Sequence, residues 1–252
     1  MFSPRRRLLL GSLALSPWAT AQPLEPVRIA VDSQNPPFMF EDARGKPRGV
    51  YPVLLEAIFQ QLGQPLELLP LPWVRALGGL DRAEHGVGGL YANAQRLAKY
   101  DYVKPLLVET VRLYVRRGGL RQYSGLQDLK GLRIGVLRGW SYGDEFDEAR
   151  RSGLFHVEVV STDKQNFGKL ERDFLDAVLA VEQTGDAVMA QGEFPSVRMV
   201  VNPVTENPAY LAFHKSARQQ ALLARVDAVV AKLRISGEHA KLVSRGLRDS
   251  AD

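Results

Sequence analysis

Residues 27–90 read VRIAVDSQNPPFMFEDARGKPRGVYPVLLEAIFQQLGQPLELLPLPWVRALGGLDRAEHGVGGL, and the hydrophobic period changes several times along them. Val27-Arg28-Ile29-Ala30-Val31 alternates and is rich in β-branched residues, which is the pattern of a strand. Asn35-Pro36-Pro37 ends it. Phe38-Met39-Phe40, followed by Asp42-Ala43-Arg44-Gly45, reads as a short hairpin arm with a turn. Apolar side chains then fall at 51, 54, 55, 58, 59 and 62, the stripe of an amphipathic helix, and Gly63 caps it. Leu66-Glu67-Leu68-Leu69 is a second strand, Trp73 to Leu80 a short helix and Gly86 to Leu90 a third, Gly-rich strand. A β-α-β-α-β run argues for a parallel sheet covered by helices.

Downstream the pattern restarts. Val108 to Val115 is extended, and Leu126 to Gly131 is a helical turn leading into a strand over 132–137. A helix is predicted over 142–151, a strand over 157–160, a helix over 167–175 and a strand over 177–181. Closing helices are predicted over 217–235 and 240–247. There are thus two α/β units of about 90 residues each, within the usual range for a domain, plus a helical tail. No single Gly-, Pro- and Ser-rich break separates them. The joint near 108–113 is itself β-like, which points to paired strand hinges and away from a flexible linker.

The chain has 252 residues, enough for one large domain or two small ones. Its 45% apolar and 24% charged residues are ordinary for a globular protein and exclude wholesale disorder, collagen-like repeats and a polytopic membrane protein. Cys is absent, which excludes disulfides, thiolate metal sites, a Cys nucleophile and a lipidated N-terminal Cys. The net charge of +5 is misleading, because Arg5, Arg6 and Arg7 supply three of the 33 basic residues and 28 are acidic. The rest of the chain is nearly balanced, so no nucleic-acid partner is expected.

Those arginines form a basic n-region, Leu8 to Trp18 is an apolar stretch too short to span a bilayer, and Ala19-Thr20-Ala21 is an A-x-A cleavage site. Residues 1–21 are therefore expected to be a cleaved signal peptide. The arginines leave both the general secretory and the twin-arginine route open. Periplasmic localisation follows, with the mature chain starting at Gln22.

Several motifs could carry chemistry. Gly139-Trp140-Ser141-Tyr142-Gly143 is G-x-S-x-G, placed after a strand and before a helix as a nucleophile elbow requires. His85-Gly86-Val87-Gly88-Gly89 could serve as its oxyanion loop, and Asp176 or Asp186 with His214 or His239 would complete the order Ser, Asp, His. The other reading of the same turn is a Gly-rich strand-to-helix junction offering backbone N–H groups to an anion. His85, His156, His214 and His239 show no metal-ligand spacing, so no metal is expected. Gly86 to Gly89 lacks the full dinucleotide fingerprint, so no cofactor is expected either.

In order and spacing these pieces resemble the family 3 solute-binding proteins, which deliver polar amino acids to ABC importers. Val27–Val31 to Pro36-Pro37-Phe38 looks like the family's strand followed by x-P-P-F. Arg48-Gly49-Val50-Tyr51 to Leu62-Gly63 resembles its G-F-D-x-D-L-x-x-A-I-x-x-x-L-G helix. Pro72-Trp73 with Leu77 and Leu80 is similar to W-x-x-L-I-P-x-L. Asn93-Ala94-Gln95-Arg96 with Tyr100 to Pro105 is similar to T-x-x-R … F-S-x-P. Leu126 to Gly139 follows L-x-D-L-K-G-x-x-I-G-V-x-x-G, and Asp176-Ala177-Val178 follows V-D-A-V.

The resemblance implies an α/β, two-lobed periplasmic-binding-protein fold (type II) with parallel-rich sheets and a two-strand hinge. Lobe 1 would comprise 22–110 plus 204–252, and lobe 2 would comprise 111–203. Carried over by position, Asn35 and Phe38 edge the cleft, Trp73 is an aromatic wall, and Gly89 and Tyr91 meet the ligand. Arg96 clamps its carboxylate, and Trp140, Ser141 and Tyr142 approach from lobe 2. A guanidinium fork suits that role, because it pairs bidentately with a carboxylate. The expected ligand is an amino acid or small carboxylate, the expected partner a membrane ABC permease, and the expected state a monomer without catalytic residues.

The chain departs from the family pattern in three places. Asn93 replaces the usual Thr, and Asn35 stands where an aromatic is common. Val181 stands where an acid usually takes the α-ammonium, with Glu182 one residue late. If strand alternation continues, Glu182 faces the other way from Val181, so the α-ammonium acceptor is either a re-aimed Glu182 or absent. The alternative function is an enzyme on the same fold, since the family includes cyclohexadienyl dehydratases and murein lyases. Glu182 is the nearby acid for such chemistry.

Overall fold

A computed structural model describes residues 24–249. The expected signal peptide, residues 1–21, lies outside them.

The first strand, β1 (Val27–Asp32), sits centrally between two parallel neighbours, β5 (Leu66–Leu71) and β6 (Gly86–Tyr91). A central parallel strand is covered on both faces, and residues 29–32 of β1 and all of β6 are buried accordingly. Between β1 and β5 lie three short antiparallel strands, β2 (Gln34–Asn35), β3 (Met39–Glu41) and β4 (Pro47–Arg48), and helix α1 (Val50–Leu62). Gly63 ends α1 in a left-handed conformation. Helix α2 (Trp73–Asp81) connects β5 to β6. Helix α3 (Ala94–Lys99) and strand β7 (Tyr100–Tyr102) follow β6.

The second half repeats this winding. Strand β9 (Arg133–Leu137) is flanked in parallel by β10 (His156–Val160) and β11 (Ala177–Val181), with helices α4 (Asp144–Arg151) and α5 (Asp163–Glu171) between them. The order β10-β9-β11 matches β5-β1-β6 in the first half. Helix α6 (Glu182–Ala190) and strand β12 (Val197–Met199) follow.

Two ten-residue strands, β8 (Leu107–Arg116) and β13 (Thr205–His214), join the halves. They pair antiparallel over 107–111 and 205–209. Beyond that, β8 runs along β11 in the second half, whereas β13 runs along β6 in the first. The two strands therefore carry one continuous sheet from the first half into the second. Helices α7 (Gln220–Ile235) and α8 (Glu238–Arg248) return to the first half, where Leu222, Val226, Val230, Leu233 and Leu242 join the core built on β1 and α1. The second half has two apolar clusters, one including Val111, Ile134 and Phe146, the other Tyr114, Phe167 and Val178.

Elements α3, β7, β12 and β13 have no counterpart in the sequence reading, and three others are placed differently. The helix expected over 167–175 covers 163–171, because Thr162 Oγ accepts the Gln165 N–H at 3.3 Å and caps it early. Asp173 then takes a left-handed φ of 67°. Glu182 does not continue the alternation of β11 but begins α6. The helix expected from 217 starts at Gln220, after a short turn in which Arg218 is left-handed at φ 52°.

Candidate functional site

In doubly wound sheets, ligands gather outside the carboxyl ends of the parallel strands. Here the residues that follow β1, β5 and β6 meet the turn after β9 and the first turn of α6. Trp73 opens α2 directly after β5, and its indole N–H donates to the Gly139 carbonyl at 3.2 Å. Trp140 enters between Trp73 and Tyr91, with ring centroids 6.2 Å from Trp73 and 5.4 Å, edge-on, from Tyr91. Arg96, partly buried on α3, uses its fork on two backbone carbonyls. One N–H goes to Tyr91 O at 2.9 Å and another to Gly139 O at 2.7 Å. Gly139 suits this seam, since its φ is 77° and a Cβ there would come 3.1 Å from Leu77 and 3.3 Å from Trp73.

The same turn is pinned at a second point. Asn93 caps α3 by accepting the Arg96 N–H at 2.8 Å, while its amide donates to Ser141 Oγ at 3.1 Å. The Ala94 N–H meets Asp144 Oδ1 at 3.3 Å. Arg96, Asn93, Trp73, Tyr91, Trp140 and Ser141 are thus brought together across the seam. Ser141 has Asn93 as its hydrogen-bond partner, and three of the four histidines are engaged elsewhere. His85 contacts Gly86 O, His214 contacts Ser216 and His239 contacts Leu106 O. Among the described residues, no Ser-His-Asp constellation forms around Ser141.

The remaining expected site residues are more dispersed. Gly89 lies in β6, where a Cβ would come 2.8 Å from Met39 and 3.0 Å from Tyr51. Phe38 is buried against Tyr51, with centroids 6.1 Å apart. Tyr142 turns into the second-half core beside Phe146, and its hydroxyl accepts the Leu137 N–H at 3.0 Å. Burial holds its phenol well above the usual range. Glu182 pairs with Arg112 at 3.0 Å. Asn35 is buried at the seam, where its Oδ1 accepts the Thr184 hydroxyl at 3.3 Å.

Four polar residues at this junction went unmarked in the sequence. Glu109, fully inside the hinge strand β8, accepts the hydroxyls of both Tyr51 and Tyr91. Burial pushes its carboxyl up to about 7, against the lowering effect of the two phenol bonds. Its only signal is an acid on the inward parity of Val111 and Leu113. Asp32 ends β1, accepts the Gln34 N–H at 3.0 Å and is also pushed by burial to about 7. Asp163 opens α5 and is raised to about 7 by burial and then by the charge on Asp32. Thr184 sits in the first turn of α6. The sequence signal of Asp32 is an acid closing an apolar strand. Among the described residues, no group of three or more His, Cys, Asp or Glu could hold a metal ion, and no helix is long and apolar enough to cross a membrane.

Residues 27–247 match the model of a family described as bacterial extracellular solute-binding proteins, family 3. The L-cystine-binding protein TcyJ of Escherichia coli (strain K12) is 24% identical over 177 residues, which is 66% of this chain and 65% of TcyJ. Among solved structures, a histidine kinase sensor domain with similarity to periplasmic binding proteins aligns with a TM-score of 0.79 at 20% identity. That alignment covers 89% of this chain and 96% of the sensor domain. An ancestral arginine-binding protein bound to arginine aligns with a TM-score of 0.75 at 22% identity, covering 87% of this chain and 97% of the other.

Proposed function

This chain belongs to the bacterial extracellular solute-binding proteins, family 3, and we propose that it captures a small polar solute, an amino acid or related carboxylate, for a membrane ABC permease. The observation that carries the reading is Arg96. Its guanidinium lies in the seam between the lobes, with desolvation lowering its pKa, and it meets carbonyls but, among the described residues, no carboxylate. A desolvated guanidinium satisfied by carbonyls alone keeps an uncompensated charge. A ligand carboxylate would take the fork bidentately in exchange for the Gly139 carbonyl. Trp73, Tyr91 and Trp140 would supply the aromatic walls, and Ser141 a hydroxyl from the opposite side.

In this reading lobe 1 is 22–110 plus 204–252 and lobe 2 is 111–203. They rotate about β8 and β13 to enclose the solute, as hinge proteins do when a few residues absorb the motion. Residues 1–21 direct export to the periplasm, where the protein acts as a monomer. Glu182 is engaged by Arg112, so it is not the acceptor for a ligand ammonium. The test is calorimetry against a panel of L-amino acids and small carboxylates, with Arg96→Ala beside the parent. A charged hydrogen bond contributes about 1.5–3 kcal/mol, so the best-bound solute should lose at least about tenfold in affinity. Unchanged affinity would remove Arg96 from the site.

A further inference from the structure

We infer that Glu109 is a positioning residue of the solute site: from inside hinge strand β8 it fixes the Tyr91 ring, and through that ring the place of Trp140 from the second half. This deepens the solute-binding reading and rests on it. Glu109 stands opposite Asn207 where β8 pairs with β13, and Tyr91, the last residue of β6, stands opposite Ala209. Opposite residues share a face of the sheet, as do residues two apart along a strand. Glu109, Asn207 and Tyr91 therefore emerge on one face, where Tyr51 of α1 joins them. One carboxyl oxygen of Glu109 accepts the Tyr51 hydroxyl and the other accepts the Tyr91 hydroxyl. All three side chains are buried.

A bulge brings Tyr91 to this face. Along β6 and β13, Val87 pairs with Ala212 and Gly88 with Leu211, but Leu90 pairs with Tyr210, so Gly89 is left over with a left-handed φ of 77°. Had the register run on unshifted, Tyr91 would oppose Pro208 and point to the other face. A one-residue bulge with glycine in the left-handed conformation re-aims side chains in this way. The re-aimed tyrosine joins three parts of the molecule. Its hydroxyl meets the hinge carboxyl, its carbonyl accepts an Arg96 N–H at 2.9 Å, and its ring meets Trp140 edge-on at 5.4 Å. Two residues beyond Glu109, β8 begins its run along β11 of the second half, with Val111 opposite Val181. The carboxyl that grips Tyr91 thus sits where the hinge strand passes from one half to the other.

A buried polar cluster that serves stability alone needs no link to the cleft, whereas here one of the two phenols belongs to the cleft wall. The carboxyl can also change its grip. The titratable groups facing it are Tyr51 from α1 and Tyr91 from β6, and from β13 it faces Asn207, which does not titrate. Burial, and then the Glu109 charge, hold both phenols well above their usual range, while burial pushes the carboxyl up to about 7. Across neutral pH the carboxyl therefore changes charge and the phenols do not. Ionised, it accepts from both hydroxyls. Protonated, it donates with one oxygen, and the phenol on that side must turn its own hydrogen away. The two forms hold the tyrosines differently.

The test reads tryptophan emission and melting of the full chain, without ligand, from about pH 5 to 8 in the parent, Glu109→Gln, Tyr91→Phe and Tyr51→Phe. Emission reports the seam, where Trp73 and Trp140 lie. The parent's emission should shift with a midpoint near pH 7. Glu109→Gln, which mimics the protonated acid, should hold the parent's low-pH emission throughout. Tyr91→Phe should show no emission midpoint while its melting temperature still falls as pH rises, since the carboxyl titrates but no longer grips the ring. Tyr51→Phe should keep the midpoint and move it upward, because it loses a bond that favours the charged form. Variants that melt differently, with no emission midpoint in the parent, would show a role in stability alone and overturn the proposal. A midpoint that survives in Glu109→Gln belongs to another carboxyl, such as Asp32 or Asp163, and overturns it too. If Glu109→Gln does not fold, Tyr91→Phe decides, and a midpoint retained there overturns it. Calorimetry with the L-amino acids tells this apart from the solute-binding reading. An amino acid bound by the parent should lose about three- to tenfold in affinity in Tyr91→Phe. Unchanged affinity overturns the link to the site and leaves solute binding standing. If no amino acid binds, the emission results still decide whether Glu109 positions Tyr91, while the amino-acid reading fails.

Discussion

Glu109 is a carboxyl group in a hinge strand, wrapped by two tyrosine hydroxyls and without a basic partner among its hydrogen bonds. Its folded-state pKa, near 7, lies above the ordinary value of 4.5. The native protein therefore holds a proton that the unfolded chain has released, and folding stability falls as pH rises from about 4.5 through 7. Asp32 and Asp163 act with the same sign in an overlapping window. The ligand-free protein should melt lower at pH 8 than at pH 5. Glu109→Gln should flatten part of that slope by about 3 kcal/mol, or roughly 6–12 °C. Calorimetric scans across pH check this, and a parent profile that rises toward pH 8 would refute it. A second expectation concerns Glu182. Because its carboxylate already pairs with Arg112, Glu182→Gln should leave solute affinity within about twofold, while a tenfold loss by titration would return it to the site.

Among the elements, the turn spanning residues 138–144 and the cap of α3 act as a unit. Trp140 contributes two aromatic contacts and Gly139 two accepted hydrogen bonds. Each aromatic pair contributes about 0.5–1.5 kcal/mol beyond its buried area. Trp140→Ala should therefore favour separation of the lobes by about 1–2 kcal/mol, a five- to thirtyfold change in the open-to-closed ratio. Small-angle scattering without ligand should show a larger radius of gyration, and an unchanged radius would contradict a closing role for Trp140. The β-α-β-α-β run and its repeat were legible because their hydrophobic periods are clean and their ends carry Gly63 or Asn-Pro-Pro. Strand β13 was not, since Asn207-Pro208 reads as a break. Its pairing depends on β8, about 100 residues earlier, and not on local pattern. Helix α6 was hidden by starting one residue after the fully buried β11. Trp73, Arg96 and Ser141 could be placed by motif spacing. The pairing of Asn35 with Thr184 could not, because only the folding of one half onto the other brings residues so distant in sequence together.

For the whole molecule, a solute held between lobes stabilises the folded state by mass action. At one hundred times its Kd it adds about 2.7 kcal/mol, which for a chain of this size raises the melting temperature by roughly 5–10 °C. Trp73 and Trp140 are the only tryptophans among the described residues, and both lie in the seam, so the same titration should change tryptophan emission in step with the melting shift. A solute that raises the melting temperature but leaves emission untouched would be binding elsewhere.

The crossing of β8 and β13 also orders the birth of the molecule. A chain emerging from its N-terminus presents β1, β5 and β6 long before the strand that completes their sheet, because β13 begins at Thr205 and the helices that cover α1 come later still. The segment from β8 through β12 has its own strands and cores in place earlier. Contacts so far apart in sequence form slowly, since the loop between them must close first. The second half should mature first and act as the template on which the first half finishes. In pulse-labelled refolding, amides of β9 and β11 should gain protection from exchange before those of β1 and β6.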